Sequence, residues 1–182
     1  MTAIDMQAFA CLFSTHGRPT PQAALSPEEP DMLEIAHRIG IKAPVAQVYQ
    51  ALATPEGVAG WWTEETDGDR HPGGILQLRF TANGEDRGAM QMKLRELQPS
   101  SLVLWEVLAG PPEWTGTHIR FALHQEGEYS IVLFTHDGWG ERAEFIRHCN
   151  TKWAMFLMSL KSLLETGSGQ PSPRDIKIDE WN

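Results

Sequence analysis

Cysteine is nearly missing from this sequence: Cys11 and Cys149 are the only two, far apart and in different settings. Two such residues build neither a disulfide framework nor a thiolate metal site, which fits a reducing, cytoplasmic setting. Long apolar runs are missing too, since none approaches the ~20 residues of a membrane span. The opening MTAIDMQAFACLFS has neither a basic leader nor a long hydrophobic segment, so secretion is not indicated. Positive charge is scarce, with 15 basic residues against 24 acidic ones and a formal charge of −9. No local cluster of Lys and Arg offsets that balance, so a phosphate backbone would be repelled and nucleic acid is not an expected partner. Tyrosine is rare as well, two residues against seven tryptophans. The aromatic content is therefore mostly large, flat, apolar surface, available to line something.

A chain of 182 residues has room for one domain with a sizeable core. Residues 1–31, including HGRPTPQAALSPEEPD, carry Pro, Ser, Thr and acid without sustained period, which predicts a flexible N-terminal extension. The core begins at Met32, which could itself initiate translation. It is expected to run to residue 171, leaving 172–182 as a tail.

Leu33, Ile35, Ile39 and Ile41 alternate with polar or small residues, the two-residue period of a half-buried strand, and His37 falls on its apolar side. APVAQVYQALATPEG then changes period: Pro44 suits a first helical turn, Val45, Val48, Tyr49 and Leu52 mark one helical face, and Thr54-Pro55 ends it before a second short helix near GWW. About six strands follow, among them ILQLRFTA, RGAMQMKLREL, SLVLWEVLAG and the two joined by QEGE, with NGED as a hairpin turn. From about Glu141 to Glu165 the apolar residues recur every three or four positions, which predicts one long amphipathic helix ended by Gly167. The fold class is α+β: a curved antiparallel sheet wrapped around a C-terminal helix, an arrangement that tends to leave a cavity between them.

Catalytic and metal-binding patterns are thin. There is no HExxH, no CxxC, and no histidine pair at helical i, i+4 spacing, while His118 and His124 stand six residues apart on one strand. No metal or cofactor is expected, and no catalytic residue is assigned. No serine sits in a GxSxG elbow, and Cys149 falls in the apolar stripe of the long helix as a small core residue. His136 shares the inward phase of Val132 and Phe134, either as a structural histidine or as a polar group at a cavity mouth. Glu106, in phase with Leu102 and Leu104, is a candidate inward carboxylate with Arg79 or His136 as partner. His118 and Arg120 take the outward phase opposite Ile119 and Phe121. Trp105 and Trp153 have interior phases, whereas Trp61, Trp62, Trp114 and Trp139 sit at element ends, where rings can frame an opening. The expected cavity residues are thus Trp62, Arg79, Trp105, Glu106, Trp114, Phe121, Phe134, His136, Trp139, Trp153 and Phe156.

The order of elements, with IKAPVAQVYQALATPEGVAGWW, LVLWEV, EWTGTHIRFAL, FTHDGW and WAMFLMSLKSLLETGSGQP filling it, resembles the helix-grip fold of the START-like (SRPBCC, Bet v 1-like) superfamily. More narrowly, residues from about Met32 to Pro171 look like the family of homologues of the activator of the heat-shock-protein-90 ATPase. The resemblance implies a deep, mostly apolar cavity that takes a hydrophobic or aromatic small molecule, but no single chemistry. It leaves three readings: a ligand-binding protein, an aromatase/cyclase-like enzyme in which His136 with Glu106 or Arg79 moves a proton, and an interaction module for a chaperone. The eukaryotic co-chaperone carries a further domain in front of this one, which the 31 residues here cannot form, and that weakens the third.

Overall fold

The computed structural model describes residues 33–82, 84–140 and 144–179. The expected extension over residues 1–31, Asn83 of the NGED turn, and the first residues of the expected long helix lie outside them. The first strand, β1 (Ile35–Ile41), buries Ile35 and Ile41 fully and keeps His37 on the apolar side, its ring 5.9 Å from Phe134. Helices α1 (Val45–Ala53) and α2 (Pro55–Ala59) follow as expected. Pro44 precedes α1 at its N-cap instead of entering the first turn. Thr54 closes α1 and caps α2 by accepting a bond from the Gly57 amide, with Pro55 at the first helical position. Gly57 is needed for contact between the two helices, because a Cβ there would lie 2.4 Å from the Gln50 carbonyl oxygen.

Six strands complete the sheet: β2 (Glu65–Gly68), β3 (Ile75–Ala82), β4 (Glu85–Gln98), β5 (Leu102–Ala109), β6 (His118–Glu126) and β7 (Tyr129–Asp137). The meander β2 to β7 pairs neighbour with neighbour, and β1 joins its far side against β7, giving an antiparallel sheet ordered β1-β7-β6-β5-β4-β3-β2. Register shifts between Phe80 and Thr81, Gln91 and Met92, and Leu94 and Glu96 interrupt the ladders on either side of β4. Each extra residue bends its strand and adds twist, so the long β4 curls.

The last helix, α3 (Glu144–Thr166), lies in the concave face and buries Cys149, Trp153, Phe156, Leu157 and Leu160. Gly167, at φ +82°, ends it by donating its amide to the Leu163 carbonyl (2.9 Å), the left-handed stop predicted at that residue. This is the helix-grip α+β fold. Among the described residues no helix is long and apolar enough to cross a membrane.

Candidate ligand-binding cavity

Helical spacing places Phe145, Cys149, Lys152, Trp153 and Phe156 along the inner side of α3. Opposite them stand Phe80 and Thr81 of β3, residues 87–90 of β4, and Gly110, Pro111 and Trp114 of the β5–β6 connection. Between these walls lies a partly open cavity of about 470 Å³, lined further by Trp62, His148 and the tail residues Ser172, Asp175 and Lys177. Trp114 is held by a tight turn, with the Trp114 amide donating to the Pro111 carbonyl (2.9 Å). Its indole N–H then donates to the Cys149 sulfur at 3.3 Å. Burial pushes the Cys149 thiol up to about 12, so it stays protonated at neutral pH and serves as wall, not as a nucleophile.

The tail reaches the cavity through backbone pairing. The Ser172 amide donates to the Trp62 carbonyl (2.8 Å), and the Glu64 amide donates to the Ser172 carbonyl (3.0 Å). The Ser159 hydroxyl donates to the Trp61 carbonyl (2.8 Å) and accepts from the Gln170 amide (2.7 Å), tying helix, sheet entry and tail together. These bonds bring Asp175 onto Lys152, whose ammonium also donates to the Ile176 carbonyl (3.0 Å) and stands 4.8 Å from the centre of the Phe156 ring. Lys177 takes the other Asp175 oxygen at 2.7 Å. Burial lowers the Lys152 pKa against the opposing hydrogen bond from Asp175. Burial raises the Asp175 carboxyl, but the bonds and charges of Lys152 and Lys177 together outweigh it and hold the carboxyl below its ordinary range.

His136 is fully buried, on the inward phase read from the sequence, yet it does not reach the cavity. The Trp153 indole N–H donates to His136 Nδ1 at 3.0 Å. An indole nitrogen only donates, so Nδ1 is the bare nitrogen and Nε2 carries the proton. Nε2 therefore donates to the Thr117 hydroxyl (2.8 Å), which passes its own proton to the Trp114 carbonyl at 2.6 Å. Burial, with a smaller contribution from the charge of His118, pushes His136 down to about 3. It is a neutral, fully satisfied structural histidine, the first of the two roles its position allowed.

Of the eleven residues expected at the cavity, Trp62, Trp114, Trp153 and Phe156 line it. Trp105, Phe121, Phe134, His136 and Trp139 form a second layer behind them. Trp62 stacks on Trp105 (5.7 Å between centroids), Trp105 meets Phe121 edge-on (4.9 Å), and Phe134 sits 4.6 Å from Trp153. Of the four tryptophans at element ends, Trp61 and Trp139 likewise turn inward to bond backbone carbonyls, at Ala51 (3.0 Å) and His136 (2.8 Å). Arg79 and Glu106 belong to the outer face. Arg79 is half-exposed and bonds Asp86 at 2.5 Å, while Glu106 pairs with Arg95 at 3.1 Å. The inward phase of β5 is Val103, Trp105 and Val107, and alternation then sends Glu106 outward. His118 and Arg120 do face outward.

Sequence reasoning passed over Phe80, Met90, Lys152, Asp175 and Lys177. Lys152 had a signal, being a charged residue at helical spacing between Cys149 and Phe156. Asp175 and Lys177 had none, because only backbone pairing of the tail carries them there. Among the described residues no group of His, Cys, Asp and Glu is arranged to hold a metal ion.

The comparisons agree with this architecture. Residues 42–165 match the family described as Activator of Hsp90 ATPase homolog 1-like protein. The solution structure of the Aha1 dimer from Colwellia psychrerythraea is 44% identical, with a TM-score of 0.66, and covers 76% of this chain and 100% of that one. CalU16 from Micromonospora echinospora (21% identity, TM-score 0.59, 77% of each chain) and CV1439 from Chromobacterium violaceum (20%, 0.63, 72% of this chain and 96% of that one) share the fold. None of the curated proteins matches. The chain belongs to the Activator of Hsp90 ATPase homolog 1-like family, within the START-like superfamily whose helix-grip fold it has.

Proposed function

We propose that this protein binds a small molecule with an apolar, aromatic body in the cavity between the sheet and α3. The observation that carries the reading is the cavity wall itself: about 470 Å³ lined by the rings of Trp62, Phe80, Trp114, Phe145, Trp153 and Phe156, with Arg87, Lys152, Asp175 and Lys177 as its charged members. Trp62 and Trp114 pack on Trp153 (5.0 and 5.7 Å), so the three form one continuous apolar wall against which an aromatic ligand packs. A proton-transfer role loses its support at His136, which spends both ring nitrogens on internal bonds. The test compares the mass of freshly purified protein under native conditions with its mass after denaturation. A discrete excess that denaturation removes is expected. Equal masses, together with no change of tryptophan fluorescence on titration with naphthalene derivatives, would remove the reading.

A second reading is an interaction module, favoured by the family description and by the 44% identical Colwellia protein, whose structure is that of a dimer. It predicts stimulation of a chaperone ATPase or a concentration-dependent dimer in sedimentation, and absence of both at high protein concentration would set it aside.

A further inference from the structure

Two cations meet one carboxylate at the tail side of the cavity. Lys152 and Lys177 share Asp175, so these three side chains together carry one positive charge in a chain whose formal charge is −9. Of the neighbouring groups, Arg87 faces Glu85 at 3.4 Å, and Asp179, whose charge also acts on Lys152, is bonded to His148 at 2.8 Å. Each Asp175 oxygen already accepts from one ammonium, Lys152 or Lys177, so a cationic ligand there would face two positive charges. Donors remain. The Lys152 ammonium has three N–H groups and places two, on Asp175 and the Ile176 carbonyl; Lys177 places one, on Asp175.

The Lys152 side chain is only 12% exposed, so its remaining N–H is held in a nearly dry wall. There a charge-assisted bond to an anion is stronger than a bond to a neutral oxygen. A single surplus charge suits one carboxylate better than a doubly charged phosphate, which would leave a new negative charge at a half-buried site. The rest of the lining is mostly apolar, with the six rings joined by Ala89, Met90, Pro111 and Cys149.

We propose that the ligand of this cavity is an aromatic carboxylic acid, its ring system against the wall formed by Trp62, Trp114 and Trp153 and its carboxylate on Lys152 and Lys177. The proposal deepens the ligand-binding reading and rests on it, and the experiment separates the two. Calorimetric titration compares naphthoate with its uncharged analogue naphthalenemethanol, on the intact chain and on two variants. Naphthoate is expected to bind about tenfold more tightly than the alcohol. Lys177→Gln, which leaves the Lys152–Asp175 pair in place, is expected to erase most of that preference, and Lys152→Met to erase the rest. Lys177 is 41% exposed, so Lys177→Gln keeps the test valid should Lys152→Met fail to fold, with thermal melting as the control. Equal affinity for acid and alcohol would overturn the carboxylate while leaving a ligand cavity. A preference that survives Lys177→Gln in folded protein would also overturn it, by placing the anion elsewhere. Binding of neither compound would overturn the cavity reading and this one with it.

Discussion

Lys152 and Trp153 are neighbours on α3, and the two clusters they anchor bury polar chemistry in opposite ways. Trp153 points into a dry layer where His136, Thr117 and Trp114 pass hydrogen bonds in one direction, with no net charge. Lys152 points to the tail, where charge is retained and Asp175 is shared with Lys177. The first arrangement neutralises its titratable group by desolvation. The second keeps its groups ionised by pairing them. The difference teaches where an outside molecule can act: a cluster whose donors and acceptors are all spent is structural, whereas one with N–H groups to spare and a cavity beside it is available for recognition.

The contrast is broken most severely at Trp153. Trp153→Ala removes a ring packed against Trp62, Trp114 and Phe134 and leaves His136 Nδ1 without its donor. A loss of about 3–5 kcal/mol is expected in denaturant unfolding. A loss below ~1 kcal/mol would mean that the packing of Trp153 and its bond to His136 contribute little to stability.

Acid titration sharpens the contrast next. His136 titrates near 3 in the folded protein and about 6.5 when unfolded, so between those values the unfolded chain binds the extra proton. Stability therefore falls as pH drops, by about 1.4 kcal/mol per pH unit from roughly pH 6 towards pH 3. Asp175 has the other sign of origin: its depressed carboxyl stabilises above its ordinary range and loses that contribution only below about pH 4. The part of the acid limb above about pH 5 thus belongs to the histidine, and urea unfolding of a folded His136→Gln variant should lack it.

The smallest effect is expected at the charged cluster. Asp175→Asn leaves Lys152 with one backbone acceptor and is expected to cost about 1–3 kcal/mol in thermal unfolding, less than the loss of Trp153. A cost above that of Trp153→Ala would reverse the ranking and make the tail contact, not the ring layer, the main support of this end of α3.

The sequence carried the architecture because periodicity is local. Alternation in ILQLRFTA set β3 to its observed bounds, the three- and four-residue recurrence around Trp153 set α3, and Gly167 marked its end. It also put His136 inward and His118 and Arg120 outward. The same rule failed at Glu106, where three consecutive apolar residues, Leu102, Val103 and Leu104, leave the phase undetermined and only pairing with β4 and β6 fixes it.

By itself, then, the sequence determined the helix-grip order of elements, the family, and the supply of tryptophan, since each is written in spacing and composition along the chain. Tertiary structure alone decided which rings face the cavity and which stand behind it, because that depends on how far the bulges around β4 curl the sheet. It alone also brought Asp175 and Lys177 to Lys152, because pairing of Ser172 with residues 62–64 folds the tail back on α3, a contact between distant segments that no local period records.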